Sequence, residues 1–150
     1  MDKIEGLLNR LNSTGKLDIE LVENPYWQQG QSSSIRAGLD HIPSNSGGAI
    51  FMLADQPLIP VEILKVIQDI RAFNRSWAVI PRYQNFRVNP VLFGSELFSE
   101  LRQLEGDVGG RKLLQEPLRF PVSWVPWDER GLKFDLDTID DYHKLIDLDE

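Results

Sequence analysis

The chain has 150 residues, enough for one ordinary domain, and 41% apolar with 26% charged residues is the composition of a globular protein. It has no cysteine, which excludes disulfides and thiolate-held metals, and it has neither an apolar run long enough for a membrane span nor a signal-like start, so a cytoplasmic location is expected. The net charge of −7 arises late: residues 128–150 carry nine acidic and three basic side chains, while 31–127 carry nine and ten. With no basic stripe, a nucleic-acid duplex is not an expected partner, although a free nucleotide is, because a divalent ion offsets its phosphates.

Residues 2–12, with Ile4, Leu7, Leu8 and Leu11 on one face, predict an amphipathic helix ended by Ser13-Thr14-Gly15. Leu17 to Val22 alternates apolar and polar residues and predicts a half-buried strand or sheet edge. A polar loop follows, and a helix from Ser33 or Ser34 to about Ile42 is expected, with the serines as N-caps. The unalternating run Ala49–Ala54 predicts a strand buried on both faces, as in a parallel sheet. Pro60 suits the first turn of a helix whose buried stripe is Ile63, Leu64, Ile67 and Ile70, with Phe73 a further candidate. Strands are expected over Trp77–Ile80, closed by Pro81, and at Val91–Phe93, followed by a helix over Ser95–Leu104. The glycine-rich turn 106–111 feeds a short helix through Gln115; closing strands are expected at 122–125 and 132–136 and a helix at 140–146. This alternation predicts a single α/β domain over 1–150 with a mainly parallel sheet.

Four polar clusters fall at strand or helix ends. The first, Gly30 to Arg36, opens a helix, where outward backbone N–H groups attract a phosphate; a plain N-cap is the simpler reading. Asp55-Gln56-Pro57 ends the apolar strand. Its carboxylate either holds a metal or sugar hydroxyl, or bonds its own turn. The third joins Arg87-Val88-Asn89-Pro90 to Gly106-Asp107-Val108-Gly109-Gly110-Arg111, where glycines admit a ligand to the backbone and a guanidinium holds an anion. In the fourth, Asp135 and Asp137 share one side of an extended segment, and Mg²⁺ commonly takes one or two such carboxylates. The four tryptophans read as core or rim packing, and His41 and His143 stand without partners at a ligand spacing.

Taken together these clusters resemble the MobA-like NTP-transferase family, most closely its molybdenum-cofactor cytidylyltransferase branch. The matching stretches are 24–39, Leu53–Pro57, Asn89–Phe93, 106–111 and Asp135–Thr138. The resemblance implies a three-layer, Rossmann-like nucleotidyltransferase fold. It also implies transfer of CMP or GMP from CTP or GTP to a phosphorylated molybdopterin-type acceptor, with Mg²⁺ as cofactor and pyrophosphate as product. By position, Asp55 matches the catalytic Mg²⁺ ligand and Asp137 a second one. Gly30, Ser32, Ser33 and Gln56 match the nucleotide side, and Asn89, Asp107 and Arg111 the acceptor side. Val88 stands where the family usually has glycine, and the family's opening strand and glycine-rich nucleotide loop have no counterpart before Leu17. The expectation is therefore an N-terminally truncated domain lacking its first strand, with an apolar sheet edge that a second copy or a partner covers. A non-catalytic pterin- or partner-binding fragment, or an inactive truncated product, is the alternative.

Overall fold

A computed structural model describes residues 2–13, 15, 18–115, 117–128 and 134–147. Helices α1 (Asp2–Asn12), α2 (Gln31–His41), α3 (Val61–Asn74), α4 (Phe98–Arg102) and α5 (Ile139–Asp147) accompany strands β1 (Gly48–Phe51), β2 (Ala78–Tyr83), β3 (Phe86–Arg87), β4 (Val91–Gly94) and β5 (Val122–Pro126). In the sheet, β4 lies between β1 and β2 and is antiparallel to both, while β5 joins the far side of β2 in parallel. Strands β1, β2 and β5 therefore run in one direction, with β4 reversed among them. The two-residue β3 extends the sheet beside the end of β2 as a hairpin, Tyr83 facing Phe86.

The side-chain period of two sends alternate strand residues to opposite faces. Ala78, Ile80, Val91 and Phe93 pack with Ile35 and Leu39 of α2 and with Leu97 and Leu101 around α4. Val79, Leu92 and Val125 pack on the other face against Ile63 and Ile67 of α3. This is the expected three-layer sandwich, and each fully buried aliphatic side chain contributes about 1.5–3 kcal/mol to it.

Several local expectations give way to the structure. Residues 18–24 form no strand; instead Asn12 holds them to α1, donating to the Ile19 carbonyl at 2.8 Å and accepting from its N–H at 2.9 Å. Alternation alone does not make a strand without a neighbouring edge to pair with. Strand β1 ends at Phe51, and all four of its residues are only half-buried, because among the described residues β4 alone pairs with it. Pro81 sits inside β2 rather than closing it. Residues 95–102 split into a 3-10 turn and α4, and 110–114 form a 3-10 turn. Residues 134–136 form no strand, while 132 and 133 lie outside the described residues. Among the described residues, no helix is long and apolar enough to cross a membrane.

Helix α5 starts with a reciprocal cap: the Thr138 N–H and hydroxyl donate to Asp141, at 3.1 and 2.6 Å, and the Asp141 N–H donates to Thr138 Oγ1 at 3.2 Å. Hydrogen bonds from Lys144 and Thr138 lower the Asp141 carboxyl from 3.8 to about 2. A depressed carboxylate stabilises the helix start fully above the ordinary value and loses that contribution as pH falls towards about 2. Carboxyl-carbon NMR should give an Asp141 midpoint near 2 with fraying of α5 between pH 4 and 2; an ordinary midpoint would contradict the cap.

Ile67 is fully buried between α3 and the sheet. Ile67→Ala should cost about 2–5 kcal/mol in urea unfolding with an unchanged slope. A loss below about 1 kcal/mol would show that α3 does not pack tightly on the sheet.

Candidate active site

The polar clusters assemble where β1, β2 and β5 end and β4 begins, since Phe51 of β1 pairs with Val91 of β4. Ligands in open α/β sheets bind at such carboxyl ends. The first wall is the start of α2. Asn24 shapes the approach, accepting from the Tyr26 N–H at 3.0 Å and donating to the Ser33 and Ser34 hydroxyls at 2.9 Å. Gly30 then turns the chain with φ 95° and ψ 179°, a conformation L side chains rarely adopt.

Gly30, rather than a serine, is the N-cap of α2, which begins at Gln31. The serines expected to cap the helix lie inside it, and no side chain caps Gly30. Instead the 106–110 loop is seated on the helix end. The Ser32 N–H and hydroxyl both donate to the Gly106 carbonyl, at 3.3 and 2.8 Å, and the Gln31 N–H donates to Asp107 Oδ1 at 3.3 Å. The seat is so close that a Cβ on Gly30 would stand 2.5 Å from the Asp107 backbone. Ser33 donates to the Gly30 carbonyl at 2.8 Å. Ser32 and Ser33 are thus buried and bonded within the protein, while exposed Ser34 faces the cleft. Asp107 supplies negative charge at the positive helix end, the same charge a ligand phosphate would bring.

The second wall is the turn after β1. The Asp55 carbonyl accepts from the Leu136 N–H at 2.7 Å, and Gln56 Nε2 donates to Asp135 Oδ1 at 2.7 Å. Residues 55 and 137 therefore lie on adjoining segments, although Asp135 is the carboxylate bonded to this turn and Asp137 is exposed. Asp55 Oδ1 and Gln56 Oε1 are buried without a hydrogen-bond partner, as is Asn89 Nδ2 just before β4. Leaving a buried polar atom unsatisfied costs about 1–3 kcal/mol, more for a charged one, so such atoms mark places where a ligand completes the bonding. For Asp55 the natural complement is a cation.

Between these walls lies a cleft of about 570 Å³ lined by Gln31, Ser34, Leu53, Asn89, Gly110 and Arg111, among others. Phe51 and Phe93 also line it, packed edge to face with ring centroids 5.5 Å apart. Gly110 is needed for fit, because a Cβ there would strike the Phe93 ring at 2.8 Å, whereas at Gly109 it would meet only the movable end of the Gln31 side chain. Among the described residues no three His, Cys, Asp or Glu side chains form a metal-holding group. A hard divalent ion at Asp55 would thus draw most of its shell from water and phosphate oxygens, which is Mg²⁺-like behaviour. Val88, at a position where glycine is usual, is buried in the core with ordinary negative φ.

Within the Gly30–Arg36 cluster the sequence reading selects Ser32 and Ser33, but these are buried and it is Gln31 and Ser34 that line the cleft, because α2 begins at Gln31. Trp27, expected to pack, is 67% exposed, whereas Trp77, Trp124 and Trp127 pack against the two cores.

The profile of the MobA-like NTP transferase domain matches residues 7–120, and the chain belongs to this family. It is 28% identical over 116 residues to the purine catabolism protein PucB of Bacillus subtilis, covering 77% of this chain and 55% of PucB. The crystal structure of Rv0371c from Mycobacterium tuberculosis matches with TM-score 0.67 and 31% identity, over 77% of this chain and 59% of that one. The same protein in complex with manganese matches with TM-score 0.65 and 32% identity, over 76% and 59%. Molybdopterin-guanine dinucleotide biosynthesis protein A from Archaeoglobus fulgidus shares the fold, with TM-score 0.58 at 17% identity, over 96% of this chain and 74% of that one. The chain thus spans between half and two thirds of the length of PucB and Rv0371c.

Gly30→Ala combines a disfavoured φ with a backbone clash, and should destabilise the protein by about 2 kcal/mol or more in urea unfolding. Gly6→Ala on α1, where an added Cβ meets nothing within 4 Å, is the control. Equal effects would show that the 106–110 loop is not held on α2.

Proposed function

We propose that the chain is the catalytic and acceptor-binding part of an Mg²⁺-dependent nucleotidyltransferase that moves CMP or GMP from an NTP to a phosphorylated molybdopterin-type acceptor and releases pyrophosphate. The observation that carries the reading is the orphaned, buried Asp55 Oδ1 at the carboxyl end of the sheet, beside a cleft with an unpartnered Asn89 amide. Family membership and a relative solved with manganese support it. A cation bound by Asp55, with Asp137 as second carboxylate, would neutralise triphosphate charge.

The remaining work is positioning, which is most of what this kind of transfer needs. An acceptor phosphate oxygen bonds to the α-phosphorus, and the bond from that phosphorus to the bridging oxygen of pyrophosphate breaks. Gly30, Ser32, Ser33 and Gln56 form the nucleotide side; the buried serines act by fixing the start of α2, Ser32 on the Gly106 carbonyl and Ser33 on the Gly30 carbonyl. Asn89 and Arg111 on the cleft wall hold the acceptor, and Asp107 holds the loop carrying Arg111 against α2. The outer edge of β1, unpaired among the described residues, is where a further strand, a second copy or a partner adds to the sheet. A cytoplasmic location suits these substrates.

Calorimetry of the chain with CTP or GTP, with and without Mg²⁺, tests the reading. Binding should require the metal, and Asp55→Asn should weaken it about tenfold or more, some 1.4 kcal/mol, while leaving the thermal midpoint within a few degrees. Undiminished binding in Asp55→Asn would remove this residue from the metal site. Metal-independent pterin binding without pyrophosphate release would favour a non-catalytic binding module, for which the orphaned Asn89 amide is the supporting observation.

A further inference from the structure

Helix α5 buries none of its residues, and Ile139, Tyr142 and Ile146 on it are exposed. So short a helix is marginal in water without tertiary packing, even with the Thr138–Asp141 cap and the Lys144–Asp141 pair that it has. Among the described residues, two hydrogen bonds join 134–147 to the rest of the chain. Both reach the turn after β1: the Leu136 N–H donates to the Asp55 carbonyl and Gln56 Nε2 donates to Asp135 Oδ1, each at 2.7 Å. The order of α5 therefore depends on the turn that carries Asp55.

That turn is unfinished. Asp55 Oδ1 and Gln56 Oε1 belong to consecutive residues, and both are buried acceptors without a hydrogen-bond partner. The segment the turn holds adds Asp135 and Asp137, both exposed, so three carboxylates stand on two adjoining stretches of chain. Without a cation they repel one another, which works against the two bonds.

We propose that Gln56 is a positioning residue whose carboxamide latches the 134–147 segment onto the cation site, so that metal binding at Asp55 orders α5. A divalent ion there turns repulsion among the carboxylates into attraction, and the ion or its bound water completes Gln56 Oε1. Fixing that end of the carboxamide fixes the other end, which donates to Asp135. Asp137 stands directly before Thr138, whose N–H and hydroxyl cap α5, so the same closure brings Asp137 to the ion and settles the start of the helix. The proposal rests on the cation-dependent reading of Asp55 and adds its coupling to the helix. By linkage the coupling is reciprocal, so whatever loosens the segment weakens the metal.

Hydrogen exchange of the α5 amides with Mn²⁺ alone tests the latch, and calorimetry on the same samples measures the bound metal. At about ten times its Kd, Mn²⁺ should slow exchange about tenfold, as for an ion that binds only the closed segment. Read at the same multiple of its own Kd, Gln56→Met should lose most of that slowing, and so should Asp135→Ala. Asp135→Asn keeps an acceptor for Gln56 and should retain the slowing, which the loss of a charged metal ligand would not allow. Asp135→Ala carries the test if Gln56→Met does not fold. Mn²⁺ binding that is lost in Asp55→Asn but leaves α5 exchange unmoved in the wild-type chain would overturn the latch and leave the cation reading standing. No bound Mn²⁺ would overturn both. A wild-type response in Gln56→Met, or a loss in Asp135→Asn as large as in Asp135→Ala, would also overturn the latch.

Discussion

The site depends on the seating of one loop on one helix end. Gly30 and Gly106 both take positive φ, and this lets the two backbones approach until Ser32 bonds the Gly106 carbonyl twice. That contact orients α2 and sets Gln31 and Ser34 on the cleft beside Gly109, Gly110 and Arg111. Much of the polarity in these segments serves this packing. Two buried serines, Asn24 and Asp107 hold the backbone in place, and unsatisfied buried atoms remain at Asn89 on the cleft wall and at Asp55 and Gln56 in the turn after β1.

Two of the unsatisfied atoms are a carboxylate oxygen of Asp55, in the turn after β1, and the amide nitrogen of Asn89, a residue of the cleft wall. Phe51 and Phe93 give the cleft an apolar floor. An apolar floor strengthens electrostatic interactions by limiting water, which is what a reaction run on charge neutralisation requires.

Much of this was legible in the residue order. Glycines beside Asp107, a carboxylate after an apolar run, and paired carboxylates at 135 and 137 each have a chemical reason that one-dimensional spacing preserves. The same spacing misled where a neighbour decides the outcome. Residues 17–22 alternate as a strand does, yet 18–22 form no ladder, and 49–54 reads as a strand buried on both faces while β1 has one described neighbour and is half-buried. Strand identity depends on hydrogen bonds to another segment, and no local pattern contains that segment.

By itself the sequence determined the alternation of strands and helices, the helix faces that pack on the sheet, and the residue types available for cation and anion binding, because amphipathic period and side-chain chemistry are local properties. Tertiary structure alone decided the reversed course of β4, the burial of Ser32 and Ser33, the bond that brings Leu136 to Asp55, and the meeting of Arg82, Arg87 and Trp124 from three strands. Each of these joins positions far apart in the chain, and their proximity follows from how the whole core closes rather than from any stretch of residues within it.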